Sequence, residues 1–244
     1  MTTQPKIDSE SLQRIRASYN WFLKPVTNAV DCVQKMPFFG WMKDQSSILD
    51  FKPVATQVYY HSLTLPRAIG LMLSVVPNER SELYQPLSQH AYEEADHHLL
   101  LVDWMVSHGL IRRRSDLHGV APTIETSSCI NIAYEIAMSR DCDMWIACMN
   151  SAIELCFFRF FSALAPKMHS LGAGHKYFDI HVEADAEHSV MGLKYISCPE
   201  ENTSGCDRLR SAALNSISLW AGMVHSWIGL TVLPKFNLDG TLKV

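Results

Sequence analysis

Three short stretches of the chain carry side chains whose types and spacing could do chemistry. The first is His90-Ala-Tyr-Glu-Glu94-Ala-Asp-His97-His98, where Glu94 and His97 stand about one helical turn apart and so share a face. The second is His181-Val-Glu-Ala-Asp185-Ala-Glu-His188. At about 100° per residue, His181, Asp185 and His188 fall within an arc of roughly 60°, with Glu183 and Glu187 turned away toward water. The third is Glu154, set in the run IACMNSAIELCFFRFF. A carboxylate there is costly unless it is paired, hydrogen-bonded or bound to a cation. Arg159, His169 or a buried Tyr are candidate partners within the chain.

Glu94, His97, Glu154, His181, Asp185 and His188 amount to three carboxylates and three imidazoles. Such a set suits two first-row metal ions, with carboxylates as bridges and open positions for oxygen or substrate. It contains no thiolate, which argues against structural zinc and favours iron or manganese. The ferritin-like di-iron pattern has two lone Glu and two Glu-x-x-His pairs. Here Glu94-x-x-His97 and Asp185-x-x-His188 are the pairs, Glu154 is a lone acid, and His181 stands where a fourth carboxylate belongs, making the set richer in nitrogen. His90 creates a second His-x3-acid-x2-His stripe and could either support a ligand from behind or compete with His97.

Plainer readings apply to the other candidates. Tyr59, Tyr60, Tyr92 and Tyr134 read as core before pocket. Cys148 and Cys156 lack a base at a suggestive spacing, so they read as inert buried thiols rather than nucleophiles. Arg159 is off the Glu154 face by about 140° and reads as a structural ion-pair residue.

Helices are needed to bring these stretches together, and the chain is patterned for them. Of 244 residues, 48% are hydrophobic and 19% charged, which excludes a disordered chain. The formal charge of −4 excludes a nucleic-acid or anionic-membrane binder. Gly and Pro punctuate helices over about Ser9–Leu23 (ended by Pro25), Thr27–Lys35 (stopped before Pro37), Pro53–Val76 (kinked or interrupted at Pro66), Gln85–His108, Thr123–Arg140, Cys142–Leu164 (ahead of Pro166), Lys176–Ser197 and Cys206–Leu233. Ile111–Gly119 reads as a solvated basic link. Neither a strand hairpin nor a solenoid repeat is expected. The seven Cys form no Cys-x-x-Cys pair, the N-terminus lacks an apolar signal core, and Ile217–Leu233 reads as a buried helix rather than a membrane span. A reduced, cytoplasmic protein follows.

Glu94-x-x-His97, Ala152-Ile153-Glu154 and His181-x3-Asp185-x2-His188, in that order on three helices, resemble the haem-oxygenase-like di-metal oxidases and oxygenases. That family shares its scaffold with thiaminase II (TenA-like) and pyrroloquinoline-quinone synthase (PqqC-like) proteins. The resemblance spans about residues 85–195. From Glu94 through Trp104 to His108-Gly109 it leans toward the subgroup that converts fatty acids to terminal alkenes. It implies an all-α, haem-oxygenase-like bundle of about seven or eight helices, forming one domain over residues 1–244. It implies the six residues above as ligands of two Fe(II) ions (manganese being the other option) and O2 as co-substrate, acting through a peroxo-diferric intermediate. The reaction would be N-oxygenation, C–H abstraction or oxidative C–C cleavage of a small carboxylate, an amino acid or a fatty acid. A homodimer and an external electron donor are further implied. A metal-free TenA-like or PqqC-like enzyme and a protein-interaction module are the competing readings on the same scaffold.

Overall fold

The structure is a computed structural model and describes residues 9–197, 201 and 203–243, with the side chains of 9–12, 183–187, 190 and 191 outside that description. Its α-helices are α1 (Ser9–Ser18), α2 (Asn20–Val33), α3 (Pro37–Asp44), α4 (Lys52–Val75), α5 (Tyr84–Glu94), α6 (His97–Ser107), α7 (Ile124–Ser139), α8 (Cys142–Trp145), α9 (Glu154–Ser170), α10 (Lys176–Met191) and α11 (Ser204–Ser226). A π-helical segment, Ile146–Ile153, joins α8 to α9. Among the described residues the only extended pairing is an isolated bridge between Phe236 and Leu242, so the all-α expectation holds.

The differences from the expected boundaries have physical causes. Pro25, Pro66 and Pro166 lie inside α2, α4 and α9 rather than ending or interrupting them. An interior proline costs about 3 kcal/mol. Each fully buried Leu or Ile returns roughly 1.5–3 kcal/mol, and Leu65 and Ile69 beside Pro66 are both core residues. The first break falls instead at Tyr19, with φ −107° and ψ 20°. Pro37 opens a helix that was not expected, because a proline at the first helical position loses no intrahelical bond. The closing helix ends at Ser226 rather than near Leu233. Gly229, at φ +76°, turns the chain back, and Asn28 then donates to the Asp239 carbonyl at 2.9 Å. The expected helix over 85–108 is two helices, α5 and α6, broken at Ala95–Asp96 between Glu94 and His97.

A single cluster of buried apolar side chains runs through the bundle, with Trp104, Trp145, Trp220, Tyr177, Phe160 and Phe161 among its largest members. The helices α9 and α10 pack on each other, joined by a turn in which Gly172 takes φ +70°. Trp104 Nε1 donates to the Ala173 carbonyl at 2.8 Å, which locks α6 to that turn. Cys142–Ser170 is long and apolar enough to cross a membrane, but 78% of its most apolar window is buried inside the bundle, as a core helix would be.

Candidate metal centre

The α5–α6 break, the π segment, α9 and α10 converge on one buried polar cage. Glu94 is 2% exposed and Glu154 4%, and His90, His97, His181 and His188 are buried around them. His97 Nδ1 lies 2.9 Å from Glu94 Oε2, so the expected one-turn pairing forms across the break. His90 Nε2 lies 3.2 Å from Glu154 Oε1, and His188 Nδ1 lies 3.8 Å from Glu154 Oε2. The rings stand in two pairs, His90 with His188 at 4.3 Å between centroids and His97 with His181 at 4.5 Å.

Donor atoms converge in two groups. Those of His90, Glu94 and His188 lie within 4.8 Å of one another, and so do those of Glu94, His97 and His181, so Glu94 belongs to both. Three of the histidines are braced from behind. His181 Nδ1 donates to the Tyr177 carbonyl at 2.6 Å, which leaves Nε2 as its lone-pair nitrogen. His188 Nε2 donates to Glu93 Oε2 at 2.9 Å, and Glu93 in turn accepts from Gln89 Nε2 at 2.7 Å. His90 Nδ1 lies 3.4 Å from the Asn150 amide in the π segment. Metal-binding imidazoles are held this way, with the outer nitrogen engaged and the inner one free.

Two inner nitrogens, His90 Nε2 and His188 Nδ1, are buried and make no aligned hydrogen bond although both face Glu154. Orphaned ring nitrogens opposite buried carboxylates fit a cation set between them, so the donor set suits a metal of the imidazole- and carboxylate-binding kind. In the metal-free protein a proton on His188 stands in for that cation, as its raised pKa shows. Burial pushes the Glu94 carboxyl up, but the hydrogen bond from His97 and the nearby imidazoles outweigh it and hold it at about 2. Burial likewise opposes ionisation of Glu154, and the close imidazoles of His188 and His90 pull it far below the usual range. Burial would lower His188, yet the nearby Glu154 carboxylate and the hydrogen bond to Glu93 raise it to about 11. Burial holds His181 down at about 4.

Of the six expected ligands, Glu94, His97, Glu154, His181 and His188 meet in this cage. Asp185 lies on α10, and its side chain falls outside the described residues, as do those of Glu183 and Glu187. Neither of the charged alternatives considered for Glu154 within the chain pairs with it. Arg159 pairs with Asp31 at 3.3 Å and His169 with Asp179 at 3.0 Å, both near the surface, leaving Glu154 to His90 and His188. His90 faces Glu154 and groups with His188, not with His97. His98 points elsewhere, 6.3 Å from the Tyr59 ring. Glu93 was not singled out in the sequence; its i, i+4 relation to Gln89 was the available signal. The π segment was also missed, although such segments recur at functional sites. Gly192 lets α10 close on it, since a Cβ there would lie 2.9 Å from Ile146 Cγ2.

The arrangement defines a class: a haem-oxygenase-like helical bundle with a carboxylate–imidazole centre built between its central helices. The chain belongs to the family described as iron-containing redox enzymes, whose model matches residues 52–221. That match extends the sequence resemblance back over α4 and forward over most of α11. A TenA homolog from Pseudomonas syringae pv. tomato superposes with a TM-score of 0.70 at 16% identity, covering 94% of this chain and 99% of that one. A domain of unknown function with a haem oxygenase-like fold, from Shewanella denitrificans, gives 0.70 at 17% identity, covering 92% and 93%. Both are likenesses of fold. No curated protein matches the sequence.

Proposed function

We propose that the chain is an O2-dependent non-haem di-iron oxidase or oxygenase acting on a small carboxylate, a fatty acid or an amino acid. One observation carries this reading: two donor groups, His90–Glu94–His188 and Glu94–His97–His181, share a buried carboxylate in a chain of the iron-containing redox family. Glu94, common to both groups, would hold the metal with Glu154, His90, His97, His181 and His188, and Asp185, on the same helix as His181 and His188, would complete the set. Bound iron would supply the one-electron chemistry that O2 activation needs. The protein's own part is to orient the imidazoles through Tyr177, Glu93 and Asn150, and to keep two carboxylates ionised chiefly by neighbouring imidazoles.

Leu65, Phe157 and Phe161 supply the apolar part of the wall of the cavity beside the cage. Beyond Phe161 lies a second cavity lined entirely by apolar or aromatic side chains, among them Val54, Val58, Leu101, Trp104 and Leu164. No Lys or Arg lines either cavity among the described residues, so a substrate carboxylate would find its cationic partner only in the metal pair.

The metal-free TenA-like alternative needs a nucleophile. Burial pushes the Cys148 thiol to about 12 and Cys156 well above its ordinary value, so neither supplies a thiolate. The test is O2 consumption by Fe(II)-loaded protein against a panel of fatty and amino acids. Substrate-dependent uptake that is lost in Glu94→Ala and His181→Ala, with the fold retained, is the expected result. Uptake indifferent to iron and to both substitutions would refute the proposal.

A further inference from the structure

His61 on α4 is only 7% exposed, and it lines the same cavity onto which Glu94, Glu154 and His181 open. Its ring packs 4.4 Å from that of Phe157. Neither ring nitrogen has a hydrogen-bond partner among the described residues. This sets it apart from the buried structural histidine, His225, whose Nδ1 donates to the Ala221 carbonyl at 2.7 Å and whose Nε2 accepts from the Phe38 amide at 3.3 Å. The His61 ring nitrogens keep some exposure to that cavity, and packing against Phe157 alone would be served equally well by leucine. His61 is also not a member of either convergent donor group.

The hydroxyl on this wall, that of Ser62, is already engaged, with its Oγ 3.2 Å from the Tyr177 hydroxyl. With no Lys or Arg on the cavity wall, His61 is the uncommitted donor that faces the two carboxylates. We propose that His61 contacts the bound ligand directly, its N–H donating a hydrogen bond to the anion or substrate head group held between it and the metal pair. This rests on the di-iron reading and adds to it a residue from α4, outside the helices that carry the ligands. Burial keeps the imidazole neutral, with its pKa at about 4 despite the pull of Glu154 and Glu94. It therefore offers one N–H and one lone pair at neutral pH. Its carrier helix, α4, packs on both α5 and α6, so the donor is held on a rigid element.

The probe is azide, titrated into ferric-loaded protein and followed by its visible charge-transfer band, with iron content measured alongside. Wild type is compared with His61→Leu and His61→Met, which remove the donor, and with His61→Gln, which retains one. The expected result is unchanged iron per chain in all four, azide binding weakened roughly tenfold or more in the Leu and Met variants, and substantial recovery in Gln. Equal azide affinity in all four, with normal iron, overturns the role of His61 and leaves the di-iron reading standing. Loss of iron in folded Leu and Met variants also overturns it, by making His61 a metal ligand. Failure of the wild type to take up iron overturns the di-iron reading and this role with it.

Discussion

Replacing His188 with leucine in the metal-free protein isolates what the cage costs when its charges are not matched. Glu154 is 4% exposed, and its described partners are His90, 3.2 Å away, and His188, 3.8 Å away. Both carboxylate and imidazole side chains are about 5% exposed, so solvent does little to screen the pair. Removing one partner of a buried ion pair leaves the other charge uncompensated and typically costs about 3–5 kcal/mol. For a chain of this size each 1 kcal/mol lowers Tm by roughly 2–4 °C, so the His188→Leu apoprotein should melt on the order of 6–20 °C below wild type. The companion variant His188→Leu/Glu154→Gln removes the stranded charge and should recover at least half of that loss. Thermal unfolding followed by circular dichroism in the presence of chelator measures both. A single variant that melts with wild type, or a double variant no better than the single, would refute the electrostatic account of the cage.

The cage also sets a pH dependence for the metal-free protein. His61 and His181, held at about 4, stay neutral while their unfolded counterparts protonate below about 6.5, so stability falls as pH drops from 6.5 to 4. Glu94, held at about 2 against an unfolded value near 4.5, adds a further loss as pH falls from about 4.5 to 2. His188, raised to about 11, contributes stability that is full below 6.5 and is lost as pH rises toward 11. Urea midpoints should therefore peak near neutrality, and a steady rise toward pH 9 would contradict the assignment. Glu93→Gln weakens the brace behind His188 and should lower iron affinity by roughly 10–100-fold in a chelator competition, with little change in fold. Cys148→Ala and Cys156→Ala should leave iron-dependent O2 uptake within about twofold of wild type, because neither thiol ionises near neutral pH.

Most of the centre was legible in the chain because its residues obey helical spacing. Glu94 with His97, and His181 with His188, are short-range patterns, and Glu154 announced itself as a carboxylate in an apolar run. The missing pieces are contacts between residues distant in sequence. His188 meets Glu93 across 95 positions, and His90 meets both Asn150 and Glu154 only because α5 packs across the π segment and α9. His61 sits alone on a largely buried helix, with no second ligand type nearby in sequence to mark it. The boundaries misplaced at Pro25 and Pro66 share one origin: proline reads locally as ending or interrupting a helix, whereas burial of its neighbours outweighs the lost hydrogen bond. The break at Ala95–Asp96 carries neither Gly nor Pro, so nothing local announces it.

The most direct test is an anaerobic Fe(II) titration of the metal-free protein, read as bound iron per chain and by Mössbauer spectroscopy before and after O2. About two ferrous ions per chain, both oxidised on exposure to O2 and both lost in Glu94→Ala, is the expected result. Saturation at one ion or fewer per chain, or binding that survives Glu94→Ala unchanged, would contradict a metal pair sharing that carboxylate.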